Sequence, residues 1–299
     1  MGPRSTFVDL GGSRRHVAEW GRRGAPVLLL QHGMRDHARS WDWVAARFEH
    51  DHHVVALDLR GHGDSDRAGS GAYDIADYVS DLADVIDAME LGSCDLVGHS
   101  LGGHIALRYA AAFPERSRSL TIIEGIELPI IRDQRRAVTP YPVRLRQWIG
   151  NQRENLSRTP RYYSTIGEAQ ARMAEAHPAI DSETLAHLTR HGLIARPEGG
   201  WHWKYDNACR FRAPEDAHGV DLDQTLAAVA CPTFLAYGEA SWIPLPPAER
   251  LAKLRDHRIV TFAGASHWLH HQAREPFLNA LAAFLPTPAL SEARETDHA

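Results

Sequence analysis

Asp95-Leu96-Val97-Gly98-His99-Ser100-Leu101-Gly102-Gly103-His104 decides the fold. Asp95–Gly98 reads as a short strand, and Leu101–Phe113 as a helix of small residues able to pack closely on a sheet. Between them stands Gly-x-Ser-x-Gly, in the strand-to-helix context that this motif requires. The reason for the glycines is steric. A side chain carried on so sharp a turn has strained dihedrals, and Gly98 and Gly102 lack the Cβ that would clash across it. The turn lifts the Ser100 hydroxyl clear of the sheet and aims the first N–H groups of the helix, Leu101 foremost, at any negative charge developing there. A serine in a glycine-rich loop by chance is the competing explanation, and the match in both spacing and context makes it the weaker one. Ser100 is therefore the candidate nucleophile.

Strand–helix alternation extends outward on both sides. Thr6–Leu10 and Arg15–Trp20 alternate apolar and polar residues around Gly11-Gly12, as an edge hairpin would. Pro26–Leu30 and Val54–Leu59 are apolar runs of the kind buried on both faces of a parallel sheet. Ser40–Glu49 and Ile75–Leu91 have helical spacing, and Leu120–Ile123 is another buried strand. Alternation resumes with Pro232–Tyr237, Pro246–Leu254, Arg258–Phe262 and Glu275–Leu285. Repeated units of this kind imply a mostly parallel sheet covered by helices on both faces. Two loops stand at the ligand-binding, carboxyl ends of its strands. Gln31-His32-Gly33-Met34 follows the first buried strand, where the Met34 N–H can pair with that of Leu101 as an oxyanion hole. Asp58-Leu59-Arg60-Gly61-His62-Gly63-Asp64-Ser65 follows the second, and Arg60, His62 and Ser65 are read as braces of that loop.

The set HGM (32–34), DLRGHGDSD (58–66) and GHSLGG (98–103), in this order, resembles the α/β-hydrolase superfamily over roughly residues 6–126 and 230–285. The resemblance implies an eight-stranded α/β-hydrolase sheet, mostly parallel, over 1–126 and 230–285, with an inserted helical cap at 127–229. The 127–229 stretch has no strand–helix alternation and is broken by Pro140, Pro142, Pro160, Pro178 and Pro197. The stretch 286–299 is expected to be a disordered tail. The family also implies Ser100 as nucleophile, the amides of Met34 and Leu101 as oxyanion hole, and a histidine after the last strand. His267, in Gly264-Ala265-Ser266-His267, occupies that loop, and an imidazole there suits general-base work near neutral pH. Its near neighbours His270 and His271 fit a helix start or pocket wall better; a zinc site made with them has no supporting spacing elsewhere.

The acid departs from the family pattern. Its usual Gly-x-x-Asp loop is here Gly238-Glu239-Ala240-Ser241, and a serine cannot hold an imidazolium electrostatically. Some superfamily members, including certain haloalkane dehalogenases and serine hydrolases, carry the acid one strand earlier. There this chain has Ile123-Glu124-Gly125-Ile126-Glu127. Glu124 is the first choice, with Glu239 second and Glu127 third. Trp242 and Trp268, after strand-end loops, and His32 and His99, beside the motifs, are candidate pocket residues; Tyr141, Trp148, Tyr162 and Tyr163 could add apolar wall. The alternation Trp201-His202-Trp203-Lys204-Tyr205 is read first as cap packing.

The expected reaction is cleavage of an ester-like bond, in a carboxylic ester, thioester or lactone, of a small apolar or aromatic substrate through an acyl-enzyme. Carbon–carbon bond hydrolysis and cofactor-free oxygenation are alternatives on the same fold, and a non-catalytic small-molecule receptor is the rival from another class. The haloalkane dehalogenase/epoxide hydrolase branch, which the capped architecture resembles, uses an Asp nucleophile where this chain has Ser100. Among 299 residues, 43% hydrophobic and 24% charged, the formal charge of −5 disfavours nucleic acid or an anionic membrane as partner. No apolar run is long enough to span a bilayer, and no signal peptide is evident. Three cysteines without paired spacing suggest no disulfide frame and a reducing, cytoplasmic setting. With only Lys204 and Lys253 among 33 basic residues, the composition favours a GC-rich bacterial source. No cofactor and no metal are expected, and the oligomeric state is left open.

Overall fold

The computed structural model describes residues 2–68, 72–127, 139–157, 159–210, 213 and 219–286. Eight strands form one sheet: β1 (Arg4–Asp9), β2 (Arg14–Trp20), β3 (Val27–Gln31), β4 (His53–Leu57), β5 (Cys94–His99), β6 (Ser117–Ile123), β9 (Thr233–Gly238) and β10 (His257–Phe262). Their order is β1-β2-β4-β3-β5-β6-β9-β10, with the β1–β2 and β2–β4 pairings antiparallel and every other pairing parallel. Between β6 and β9, β7 (Leu193–Ala195) and β8 (Trp201–Trp203) pair separately as an antiparallel ribbon. Among the described residues no helix is long and apolar enough to cross a membrane.

The pleat explains why the Pro26–Leu30 run is apolar throughout. In β3, Leu28 and Leu30 join one apolar cluster with Val54, Val97, Trp41, Phe277 and Leu281, while Leu29 joins another with Leu57, Leu96, Leu82 and Ile105. Helices thus cover both faces, and each fully buried leucine contributes roughly 2 kcal/mol of apolar transfer. The helix Ile75–Ala88 turns Tyr78, Leu82, Val85 and Ile86 inward and starts with a capping box between Asp74 and Asp77.

The chain runs from β3 to β4 on one side and then crosses to β5 on the other. Strand order therefore reverses between β3 and β5, which opens a crevice outside their carboxyl ends. The segment between β6 and β9 lies over this edge. It contributes the helices Tyr141–Ser157, Ile166–Ala176 and Ser182–Gly192. His37 Nε2 bonds Leu188 O at 2.9 Å, the Tyr73 hydroxyl donates to Asp206 at 2.7 Å, and Lys204 pairs with Asp64 at 2.8 Å, fastening this segment to the loops after β3 and β4.

Two features depart from the sequence expectations. The 127–229 stretch, expected to be mainly helical, also contains the β7–β8 ribbon; Gly199 and Gly200, both at positive φ, turn the chain between its arms. The helix Gly219–Ala228, placed in the cap, instead buries Leu222 and Leu226 in the same cluster as Ile105 of the main sheet's helix. The cap residues 128–138 and the tail beyond Pro286 lie outside the described residues.

Candidate active site

Five strand ends meet at the crevice. β3 leads to Met34, β5 to Ser100, β6 to Glu124, β9 to Ser241 and β10 to His267. Apart from β4, which carries the bracing loop, these are the parallel strands of the sheet, so the topology alone brings the residues together.

Ser100 has φ 53° and ψ −114°, a conformation that few L residues adopt. The turn is held by Ser100 N–H donating to Ile123 O at 2.8 Å. A Cβ on Gly98 would lie 2.4 Å from Gly102 O, and one on Gly102 would lie 2.2 Å from Gln31 O, so both positions require glycine. The loop after β3 presses on this turn: a Cβ on Gly33 would sit 3.4 Å from that of Ser100. Leu101 opens its helix and has no intrahelical acceptor for its N–H, and Met34 N–H has no acceptor among the described residues.

Glu124 also has positive φ, 50°, which turns its side chain back across the top of the sheet. It is fully buried. Its Oε1 accepts from Gly238 N–H at 2.7 Å. Its Oε2 accepts from the Ser241 hydroxyl at 2.6 Å and faces His267 Nδ1 at 2.7 Å. Ser241, at the family's usual acid position, thus binds the carboxylate that comes from the neighbouring strand. With Nδ1–H donated to Glu124, His267 presents Nε2 as the basic nitrogen. Neither Nε2 nor Ser100 Oγ has a partner among the described residues. Such bonds are often long in unliganded sites and tighten with substrate. His99 Nε2 donates to His267 O at 2.9 Å, and the two rings are 4.6 Å apart, which ties the histidine loop to the serine turn.

Other sequence candidates fall elsewhere. Glu239 accepts from Gly264 N–H at 2.9 Å, and Glu127 pairs with Arg250 at 2.9 Å; neither contacts His267. His32, taken as a pocket residue, is fully buried with both nitrogens engaged: Nδ1 donates to Gly33 O at 2.7 Å and Nε2 accepts from Leu59 N–H at 3.0 Å. It braces two loops and lines no pocket. His99 is likewise buried, packed behind Gly33. Trp242 is exposed with its ring 5.2 Å from His267, and Trp268 lies 5.8 Å from His99 and 4.7 Å from His177 of the insertion. Arg60, His62 and Ser65 do brace their loop, through Asp81, Arg60 O and Asp58 O respectively.

Two groups among the described residues bring metal-ligand atoms together, Asp42/His187/His191 and His16/Asp58/Asp64. In the first, the Arg39 guanidinium already holds Asp42 at 2.5 Å; in the second, Asp58 is taken by His16, Ala38 N–H and Asp64 N–H. Both are complete as hydrogen-bonded braces.

Burial holds many histidines neutral. It pushes His32 down to about 3 and His62 and His191 to about 4, and it lowers His99, His270 and His271 well below their ordinary value of 6.5. Asp36 moves the other way, raised by burial to about 7. The depressed histidines bind protons only when unfolded, so their contribution is present above about pH 6.5 and lost as pH falls toward 4. For His62, a shift from 6.5 to about 4 corresponds to a contribution on the order of 3 kcal/mol. Asp36 opposes this, holding a proton that its unfolded form has lost above about pH 4, but one group is set against six. The melting temperature is expected to fall steadily between about pH 7 and pH 5. A flat or rising profile in differential scanning calorimetry contradicts this.

Residues 27–280 match the family model described as Alpha/beta hydrolase family, and the chain belongs to that family. A match to mouse epoxide hydrolase 4, 38% identical over 113 residues, covers 38% of this chain and spans only about a third (32%) of that relative's length. Over nearly full length, the chain is 28% identical to 2-(acetamidomethylene)succinate hydrolase of Mesorhizobium japonicum, covering 94% of this chain and 95% of that one. The crystal structure of a hydrolase of that name superimposes with a TM-score of 0.75 at 26% identity, covering 94% of this chain and 98% of that one. The chain is also 27% identical to 2-hydroxy-6-oxo-2,4-heptadienoate hydrolase of Pseudomonas putida, over 93% of this chain and 95% of that one.

Proposed function

We propose that this protein is a serine hydrolase in which Ser100 attacks a carbonyl carbon, His267 relays the proton and Glu124 orients and stabilises the imidazolium. The observation that carries the reading is the 2.7 Å contact from Glu124 Oε2 to His267 Nδ1, made by a buried carboxylate that Gly238 N–H and the Ser241 hydroxyl hold in place. The Met34 and Leu101 amides receive the oxyanion. His267 gives its proton to the leaving group as the bond to the carbonyl carbon breaks. Water, deprotonated by the same histidine, then releases the acid and restores Ser100. The reading favours a small ester, thioester or lactone in a compartment with no membrane or nucleic-acid partner. The aromatic rings of Trp242, Trp268 and His177 near His267 suit an apolar or conjugated acyl group.

A second reading keeps the same residues but changes the bond. The two full-length relatives are named for hydrolysis of an acetamido compound and of an oxo-dienoate, neither of which is an ester. Amide or carbon–carbon cleavage by Ser100 therefore stands behind ester cleavage.

A substrate panel tests this directly: short and medium p-nitrophenyl esters, an aryl thioester, a lactone, an N-acyl enamine and a vinylogous 1,5-diketone. Turnover of the oxygen and sulfur esters above the others supports the first reading. Turnover confined to the enamine or the diketone moves the assignment to the second, and no turnover with any of them contradicts both.

A further inference from the structure

We propose that Arg35 is the anchor for a carboxylate on the substrate, so that the Ser100 site acts on an anionic acyl compound. The inference rests on the reading of Ser100 as an acyl-transfer nucleophile and names the substrate class of that site.

Arg35 follows Met34 directly and stands two residues beyond Gly33, which abuts the Ser100 turn. Its φ of 62° places it in the left-handed region, in a turn closed by Asp36 N–H donating to Gly33 O at 3.4 Å. A long, β-carbon-bearing side chain in that conformation is unusual, and strained positions concentrate at functional loops. The turn sends the guanidinium toward the insertion, where it lies 5.8 Å from the centre of the Tyr205 ring. Its charge also helps, after burial, to keep His177 neutral. The His177 ring packs 4.7 Å from Trp268, the neighbour of His267. The guanidinium therefore stands where the loop after β3, which carries the Met34 amide, meets the insertion.

Arg35 is exposed and has no carboxylate partner among the described residues. The nearby acids are all committed: Asp36 to Ser40 and the His37 N–H, Asp206 to Tyr73 and the Ala208 N–H, and Asp64 to Lys204. In a chain of net charge −5, an unpaired cation is thus carried by the loop that abuts the Ser100 turn. A guanidinium that meets an aromatic ring through its face keeps its edge N–H groups free. That edge fits a planar carboxylate in two parallel bonds. A neutral group of the same shape cannot replace the charge.

The test compares mono-p-nitrophenyl esters of glutarate, adipate and pimelate with their methyl-capped, neutral counterparts, corrected for uncatalysed hydrolysis. In the wild type the best anionic ester is expected to exceed its neutral partner at least about tenfold in kcat/KM, chiefly through KM. In Arg35→Met that ratio is expected to fall close to one, and in Arg35→Lys to an intermediate value. A wild-type ratio near one, or a ratio that Arg35→Met leaves unchanged, overturns the assignment of Arg35 while turnover of either ester leaves the role of Ser100 standing. If no ester turns over, the reading of Ser100 fails for esters and binding decides Arg35. Calorimetry of the same compounds on Ser100→Ala then either shows an anion preference that Arg35→Met removes, or equal affinities that refute the proposal.

Discussion

Ser100→Ala is expected to lower kcat by a factor on the order of 10⁴–10⁶ while leaving substrate affinity within a few-fold of wild type. The size follows from the chemistry. Without Oγ no acyl-enzyme forms, and His267 can only activate water, which the site does not position as it positions Oγ. What remains under the proposed mechanism is stabilisation by the Met34 and Leu101 amides, the candidate oxyanion hole, which would act on any tetrahedral species formed there. The alanine also keeps the fold. The turn's conformation, φ 53°, is imposed by Ser100 N–H bonding to Ile123 O and by the packing of Gly98 on Gly102, and neither involves the hydroxyl. A folded variant with wild-type affinity and lost turnover is the expected result. Comparable rates in both proteins contradict the assignment of the nucleophile.

Glu124→Gln is expected to lower kcat by on the order of 10³–10⁴, against less than about threefold for Glu239→Gln. Both Glu124 oxygens are committed to donors: Gly238 N–H on Oε1, the Ser241 hydroxyl and His267 Nδ1–H on Oε2. A carboxylate satisfies all three as acceptor. A carboxamide has only one oxygen, so its NH₂ must face either the Gly238 N–H or the His267 side. If it faces His267, the imidazole moves its proton to Nε2 and can no longer accept one from Ser100. If it faces Gly238, two donors oppose each other in a buried site, at a cost of about 1–3 kcal/mol. Glu239, bonded to Gly264 N–H at the surface, has no such role. Kinetics of the two variants on one substrate discriminate the acids: a loss in Glu239→Gln equal to that in Glu124→Gln refutes the geometry as the basis of the mechanism.

The central sheet was legible because its signals are local. Continuous apolar runs marked β3 and β4, and the glycine spacing around Ser100 reports a backbone conformation that only a sharp strand-to-helix turn requires. The departure at position 241 was legible as an absence, a serine where a carboxylate is usual. What Ser241 does instead, donating to Glu124, depends on β6 and β9 lying side by side, and no local pattern carries that. His32 was misjudged for a related reason. A histidine beside a motif reads as functional, whereas its two ring nitrogens are spent on the backbone of two loops whose approach is set by the parallel pairing of β3 with β4.

The insertion was less legible. Leu193–Ala195 continues directly from the helix Ser182–Gly192, and a three-residue strand leaves too short a run for alternation to show. The pair Gly199-Gly200 followed by alternating Trp201–Tyr205 was the available hairpin signal. Arg35 and His177 carry no motif. They gain meaning only where the insertion folds over the loop after β3, which sequence spacing does not report.

The most direct test of the mechanism is intact-protein mass spectrometry of the wild type quenched during turnover of a slowly deacylating aryl ester, followed by peptide mapping. A mass increase of one acyl group, located on Ser100, with no increase in Ser100→Ala, is the expected result. Unmodified protein during demonstrable turnover, or an acyl group on another residue, would contradict it.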